Sequence, residues 1–197
     1  MELIYAPMGP YQTNCYILKS EVGEIIIDPG MGAYEWVKSQ IKNPLAILNT
    51  HGHFDHVWSN HALQTQYKIP LYCPKGDVFM LSKDPYGLGI EPSTPDVEVD
   101  GDESFEIGGI KVQFWHFPGH TPGCSAIEIE GMFFSGDFVF SNSIGRTDFP
   151  FSSPEDMKKS LLRFLQIQKD MPLYPGHGEA STVAREQYTV PQWIKML

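Results

Sequence analysis

The chain has 197 residues, of which 42% are hydrophobic and 19% charged. This composition supports a substantial core and excludes wholesale disorder, and the length suits a single domain over residues 1–197. The formal net charge of -10 argues against nucleic acid as a partner, because phosphate binding draws on Lys and Arg.

In chain order, "CYILKS" reads as an apolar strand and "GEIIIDPG" as a β-branched run closed by a turn at Asp28, Pro29 and Gly30. "AYEWVKSQI" spaces Trp36, Val37 and Ile41 as a helix does. "LAILNT" is the next strand, and it delivers His51 at its end. "VWSNHALQTQYKI" predicts a helix stopped by Pro70, and "LYC" a short strand. From Ser82 to Glu103 the Pro, Gly, Ser and acid content predicts a long loop with few regular elements. "ESFEIGGIKVQFWHFPGH" predicts a β-hairpin turning at Gly108-Gly109, and "SAIEIEGMFFSGDFVF" a second one turning at Gly131. Ser153 as N-cap, Pro154 at the first helical position and Glu155 and Asp156 in the first turn mark a helix start. "MPLYPGHGE" gives a short strand and a glycine-rich loop, and "STVAREQYTVPQWIKML" a helix broken near Pro191.

Cys15, Cys73 and Cys124 are odd in number and form no CxxC pair, so neither a disulfide framework nor a zinc ribbon is expected. Free thiols fit a reducing compartment. The N-terminus lacks a basic segment followed by a long apolar run, and no window reaches about 18 apolar residues. The expectation is a cytoplasmic protein without a membrane partner; the oligomeric state stays open.

"LNTHGHFDHVWSN" and the histidine that follows it place His51, His53, Asp55, His56 and His61 within eleven positions. Residues two apart on an extended backbone point the same way. A corner from strand into helix here aims His51 and His53 at one point and Asp55 and His56 at a second, which suits two adjacent cations. Taken alone, the run also allows a single zinc site or a His–Asp pair in base catalysis. His61 falls mid-helix, outside the cluster. Farther on, His120 in "FPGHTPG", Asp137 in "FFSGDFVF" and His177 in "LYPGHGE" each follow a strand and sit among turn residues. Five histidines and two carboxylates suit Zn²⁺, and also Fe or Mn. His116 reads as packing, and Cys124 as a small buried residue rather than a nucleophile. Arg146 in "GRTD" either meets a substrate carboxylate or pairs with Asp148. Tyr86 and Lys83 read as plain loop residues.

The succession "THGHFDH", "GHTPG", "SGD" and "GHG", with "NCYIL" and "EIIIDPG" before it, resembles the metallo-β-lactamase superfamily over nearly the whole chain. The resemblance implies an α/β (α+β) fold, an αββα sandwich of two mixed β-sheets flanked by helices. It implies His51, His53 and His120 as ligands of one divalent metal ion, Asp55, His56 and His177 as ligands of a second, and Asp137 as the bridge. Zinc is the first expectation, with Asp55 also orienting the catalytic water and Asp28 supporting the ligands. "SNSIGRTDFP" is similar to glyoxalase II-like hydrolases and to persulfide dioxygenases. β-Lactamases of the superfamily usually carry a cysteine where Asp137 stands, which points away from antibiotic hydrolysis, and RNA-processing relatives are larger. Only about twenty residues follow His177, as in the short bacterial glyoxalase II-like type. The implied activity is hydrolysis of a small-molecule thioester such as S-lactoylglutathione by a hydroxide shared between two metals. The alternative is a persulfide dioxygenase with one iron on His51, His120 and Asp137.

Overall fold

Ile25, Ile26 and Ile27 are consecutive, and all three are fully buried. A strand can do this only when both faces of its sheet are covered. The computed structural model, which describes residues 1–197, shows the cover. The first sheet takes β1 (Glu2–Met8), β2 (Thr13–Lys19) and β3 (Glu24–Ile27), crosses over α1 (Ala33–Gln40) to β4 (Pro44–Leu48), and crosses again over α2 (Phe54–Val57) and α3 (Asn60–Tyr67) to β5 (Leu71–Pro74). A 3₁₀ turn and α4 (Val78–Lys83) precede its last strand, β6 (Val97–Val99). The strand order is β1 to β6, antiparallel over the first three and parallel thereafter.

The second sheet is built from β7 (Ser104–Ile107), β8 (Ile110–His116), β9 (Ser125–Ile129) and β10 (Met132–Gly136). The small ribbon β11 (Val139–Phe140) and β12 (Ser143–Ile144) follows, then α5 (Pro154–Phe164), β13 (Pro172–Pro175), β14 (Ser181–Thr182) and α6 (Val183–Ile194). Its order is β14-β13-β10-β9-β8-β7, with β10 and β13 parallel and the other pairs antiparallel. Both sheets are mixed.

Three apolar layers follow. Leu18, Ile25, Ile27 and Leu48 meet Phe114, Ile127, Ile129 and Phe134 between the sheets. Ile17, Ile26 and Ile47 face the helices over the first sheet. Phe133 and Leu173 pack on Met157, Leu161 and Phe164 of α5 and Val183 and Val190 of α6. Each such fully buried side chain contributes about 1.5–3 kcal/mol. This is the expected αββα sandwich.

Both predicted hairpins form, with Gly108, Gly109 and Gly131 at positive φ. Ser153 caps α5, its hydroxyl accepting from the Asp156 amide at 3.1 Å. The predicted loop from Ser82 to Glu103 has few regular elements, as expected: the end of α4 and β6, a three-residue strand that pairs with β5 and buries Val99. Two expectations need correction. The single helix expected after the histidine cluster is two. Ser59 separates them because its amide and hydroxyl donate to Pro29 and Gly30 carbonyls at 2.9 and 2.7 Å. Finally, α6 continues through Pro191 to Ile194. A proline late in a helix removes one backbone bond, and the packing of Val183, Glu186 and Val190 carries the helix past it.

No helix is long and apolar enough to cross a membrane. The three cysteines are buried and unpaired.

Candidate metal centre

Strand ends from both sheets meet at one edge of the sandwich. His51 follows β4, Asp28 follows β3, Asp137 follows β10, His177 follows β13 and His120 lies in the loop after β8. The expected corner is present: His53 is the extended N-cap of α2, so Asp55 and His56 stand on its first turn. The sheets are stitched together here. The Asn14 amide donates to the Gly176 carbonyl at 2.7 Å, the Tyr16 hydroxyl donates to that of Pro175 at 2.6 Å, and Thr13 bridges to His177.

All seven residues expected to act together converge, and all but half-buried His177 are buried. One donor atom from each of His51, His53 and His120 lies within 4.8 Å of the others, and the same holds for Asp55, His56 and His177. Asp137 touches both groups: its Oδ1 is 3.3 Å from His56 Nε2, and its Oδ2 is 3.5 Å from His120 Nε2 and 3.4 Å from His177 Nε2.

Each imidazole has one nitrogen engaged on the protein side. His56 Nδ1 donates to Asp28 at 3.0 Å, His120 Nδ1 to the Arg146 carbonyl at 2.8 Å and His177 Nδ1 to the Tyr11 carbonyl at 3.1 Å. His51 Nδ1 lies 3.1 Å from the Thr50 hydroxyl, which itself donates to Asp28. His53 Nε2 lies 3.1 Å from the Tyr86 hydroxyl. The other nitrogens face one shared space. Holding one nitrogen fixes the tautomer and leaves a lone pair on the other, as metal-binding histidines require. His51 Nε2, His56 Nε2, His120 Nε2 and Asp137 Oδ1 are buried without a hydrogen-bond partner. Four orphaned polar atoms in one place are costly unless an ion satisfies them. The donor set therefore fits divalent cations bound by nitrogen and oxygen.

The electrostatics agree. Burial, with neighbouring imidazoles, holds His51 well below its ordinary pKa and brings His53 down to about 3, which keeps both rings neutral, as ligation requires. Burial pushes the Asp55 and Asp137 carboxyls up, but the His56 charge and hydrogen bonds from His177 outweigh it, so Asp55 falls to about 2 and Asp137 well below the carboxylate range. Burial lowers His177, yet its bonds to Asp137 and Asp55 raise it to about 9, and the same two carboxylates raise His56. In the metal-free chain, protons on these two rings thus balance the carboxylates. The His177 proton is held below about pH 9 and lost above it. A cation must displace it, so metal binding is expected to release at least one proton at pH 7 and to strengthen by up to about tenfold per pH unit toward pH 9. Titration calorimetry in buffers of differing ionisation enthalpy checks this; an affinity flat from pH 6 to 8, with no proton released, contradicts it.

His61, His116, Cys124 and Lys83, expected to stand outside, do so, and Arg146, left open between a substrate carboxylate and Asp148, pairs with Asp148. His61 is half-buried, away from the cluster, and bonds to the Pro92 carbonyl. His116 bonds to the Pro122 carbonyl. Cys124 is buried in the core under α5 and α6, and burial pushes its thiol pKa up. Arg146 makes two hydrogen bonds to Asp148, at 2.9 and 2.8 Å. Lys83 is exposed. Tyr86 corrects the sequence reading: it contacts His53 and, with Tyr11, Phe54, Phe149 and Pro150, walls a cleft of about 250 Å³ that opens onto the ligands.

Two further residues were not singled out in the sequence. The Thr13 hydroxyl donates to Asp55 Oδ2 at 2.7 Å. Asp77 is fully buried and accepts from the Gly52 amide at 2.9 Å, the Thr121 hydroxyl at 2.6 Å and the Gly123 amide at 2.6 Å. It ties the loop of His51 and His53 to the loop of His120. Three glycines press on the ligands from behind: a Cβ at Gly176 would meet the Asp137 carboxylate, one at Gly145 the Asp137 carbonyl and one at Gly30 the Asp55 carbonyl.

A family model described as the metallo-beta-lactamase superfamily matches residues 8–177. The hydroxyacylglutathione hydrolase GloC of Haemophilus influenzae is 31% identical over 97% of both chains. Among solved structures, the BLEG-1 B3 metallo-beta-lactamase superposes with a TM-score of 0.86 at 30% identity, covering 98% of this chain and 99% of its own. TTHA1623 in a di-iron-bound form superposes at 0.81 with 32% identity, covering 96% and 99%.

Proposed function

The chain belongs to the metallo-beta-lactamase superfamily, and from that premise we propose that it hydrolyses thioesters with two divalent cations, zinc first and iron second. His51, His53 and His120 would hold one ion, Asp55, His56 and His177 the other, with Asp137 between them. The observation that carries the reading is the convergence of seven side chains, four of which turn a buried atom without a hydrogen-bond partner into the shared space: His51 Nε2, His56 Nε2, His120 Nε2 and Asp137 Oδ1. Such cations supply Lewis acidity and lower the pKa of water from 15.7 toward about 7.

The chain's own contribution is positioning. Thr13 fixes Asp55 at the floor of the cleft, where its carboxylate orients a water by hydrogen bonding. With His53 Nε2–H donating to the Tyr86 oxygen, the Tyr86 proton is free to donate to a carbonyl in the cleft. Burial raises the Tyr86 pKa, so the hydroxyl stays protonated at neutral pH. A thiolate leaves without a strong proton donor, which suits a site whose carboxyls Asp55 and Asp137 are ionised.

The name of the H. influenzae relative supports the thioester. The B3 β-lactamase among the similar structures favours a second reading, cleavage of a β-lactam amide. Metal analysis with parallel assays separates these. We expect about two ions per chain, thioester hydrolysis that EDTA abolishes and zinc restores, and slower turnover of nitrocefin. Faster nitrocefin turnover transfers the assignment to the β-lactam. One iron per chain with oxygen uptake on glutathione persulfide sinks the hydrolase reading in favour of a dioxygenase.

A further inference from the structure

Four aromatic rings wall the cleft, and they come from four separate segments. Tyr11 lies between β1 and β2, Phe54 opens α2, Tyr86 follows α4 and Phe149 precedes α5. Tyr11 meets Phe54 edge-on at 4.9 Å between centroids, and Phe54 meets Tyr86 at 6.3 Å. Phe149 stands 5.8 Å from the His53 ring and 6.0 Å from that of His120. Whatever is held beside the reacting carbonyl is therefore pressed against ring surfaces.

Cations to receive a charged substrate are missing from this wall. Its lining contains no Lys or Arg. The nearby guanidinium of Arg146 is turned to both Asp148 oxygens and lies 4.2 Å from the Phe149 ring centroid, outside the lining of the cleft. At the floor, the charges of Asp55 and Asp137 would be matched by the proposed cations, which serve the reacting carbonyl rather than a remote carboxylate. A tripeptide thiol with two carboxylates needs guanidinium or ammonium partners to offset their desolvation; an uncharged apolar group needs none and gains from covering the rings.

We infer that the cleft selects an uncharged apolar group, best an aromatic one, beside the scissile carbonyl, and that a glutathione thioester is not its preferred substrate. The inference rests on the hydrolase reading for its reaction, and on the ring wall and the engaged Arg146 for its specificity.

The test compares two thioesters on the zinc-loaded protein: the phenylacetyl thioester of N-acetylcysteamine, which is neutral and aromatic, and S-lactoylglutathione. We expect kcat/KM to favour the first by about tenfold or more, and Phe149→Ala and Tyr86→Ala to narrow that ratio. A ratio of one or below overturns the inference and leaves the hydrolase reading intact. Binding of uncleavable ligands, read by ligand-observed NMR, separates the two further. N-Benzylacetamide should bind and S-methylglutathione should not. If neither thioester is cleaved, the hydrolase reading fails while preferential binding of N-benzylacetamide still upholds the selectivity of the cleft. Equal or tighter binding of S-methylglutathione overturns it.

Discussion

An Asp137→Ala protein is expected to lose turnover by well over a hundredfold and to retain less metal after purification. Removing a group that only supports a metal ligand costs about 10–100-fold. Asp137 does more: its two oxygens reach nitrogens of His56, His120 and His177, which belong to both donor groups. Alanine leaves those nitrogens without the anion that would draw the two proposed cations together. Elemental analysis and kcat/KM on the same preparation measure the loss. Circular dichroism on the EDTA-treated chain checks the fold, because Asp137 follows β10 directly and sits against Gly145 and Gly176. Asp137→Asn keeps the volume and removes the charge, so it should lose activity nearly as far. Full turnover with full metal content in either variant would remove Asp137 from the centre.

The second large effect is expected at a residue outside the donor cluster. Asp77→Ala should weaken metal binding by about 10–100-fold, and it should lower the melting temperature of the metal-free chain by several degrees. The Gly52 amide, the Gly123 amide and the Thr121 hydroxyl all lose their acceptor at once. Each buried donor left unpaired costs about 1–3 kcal/mol. Gly52 sits between His51 and His53, and Thr121 follows His120, so all three residues proposed to hold one cation would shift together. Asp77→Asn retains an acceptor and should show a milder form of both effects, which keeps the test usable if the alanine variant does not fold. The two readouts distinguish the roles. A fall in melting temperature with metal affinity unchanged would make Asp77 a packing residue only.

These two residues also mark what the sequence reveals. His51, His53, Asp55, His56, His120, Asp137 and His177 are legible because each carries a local signal: the first four crowd one strand-to-helix corner, and the other three are a histidine or an acid after an apolar strand, set among turn residues. The two sheets are legible for a similar reason, since runs such as Ile25–Ile27 state that both faces are covered. Asp77 carries no such signal. Its partners lie 25, 44 and 46 positions away, and only the closed sandwich brings them within bonding distance. One trace was present: Gly52 and Gly123 flank the ligand histidines, and a Cβ on either would stand 2.8 Å from an Asp77 atom. Glycine beside a ligand records a neighbour it must admit without naming it. Tyr86 was obscured by its setting, a Pro- and Gly-rich stretch that reads as connector until the fold lays it against His53. Pro191 misleads in the other direction. The local rule for proline holds, and tertiary packing outweighs it.

Gly30, Gly145 and Gly176 impose an asymmetry on how this molecule can change. Behind the ligands there is no space for one more carbon, so a substitution at any of the three displaces Asp55 or Asp137. In front of them, the rings of Tyr11, Tyr86 and Phe149 stand on segments that carry none of the seven clustered side chains, and each can be exchanged without replacing a neighbour of one in the chain. Mutation is therefore channelled toward the mouth. A lineage built on this chain can acquire a new substrate in single steps, whereas a new reaction centre would demand several simultaneous changes.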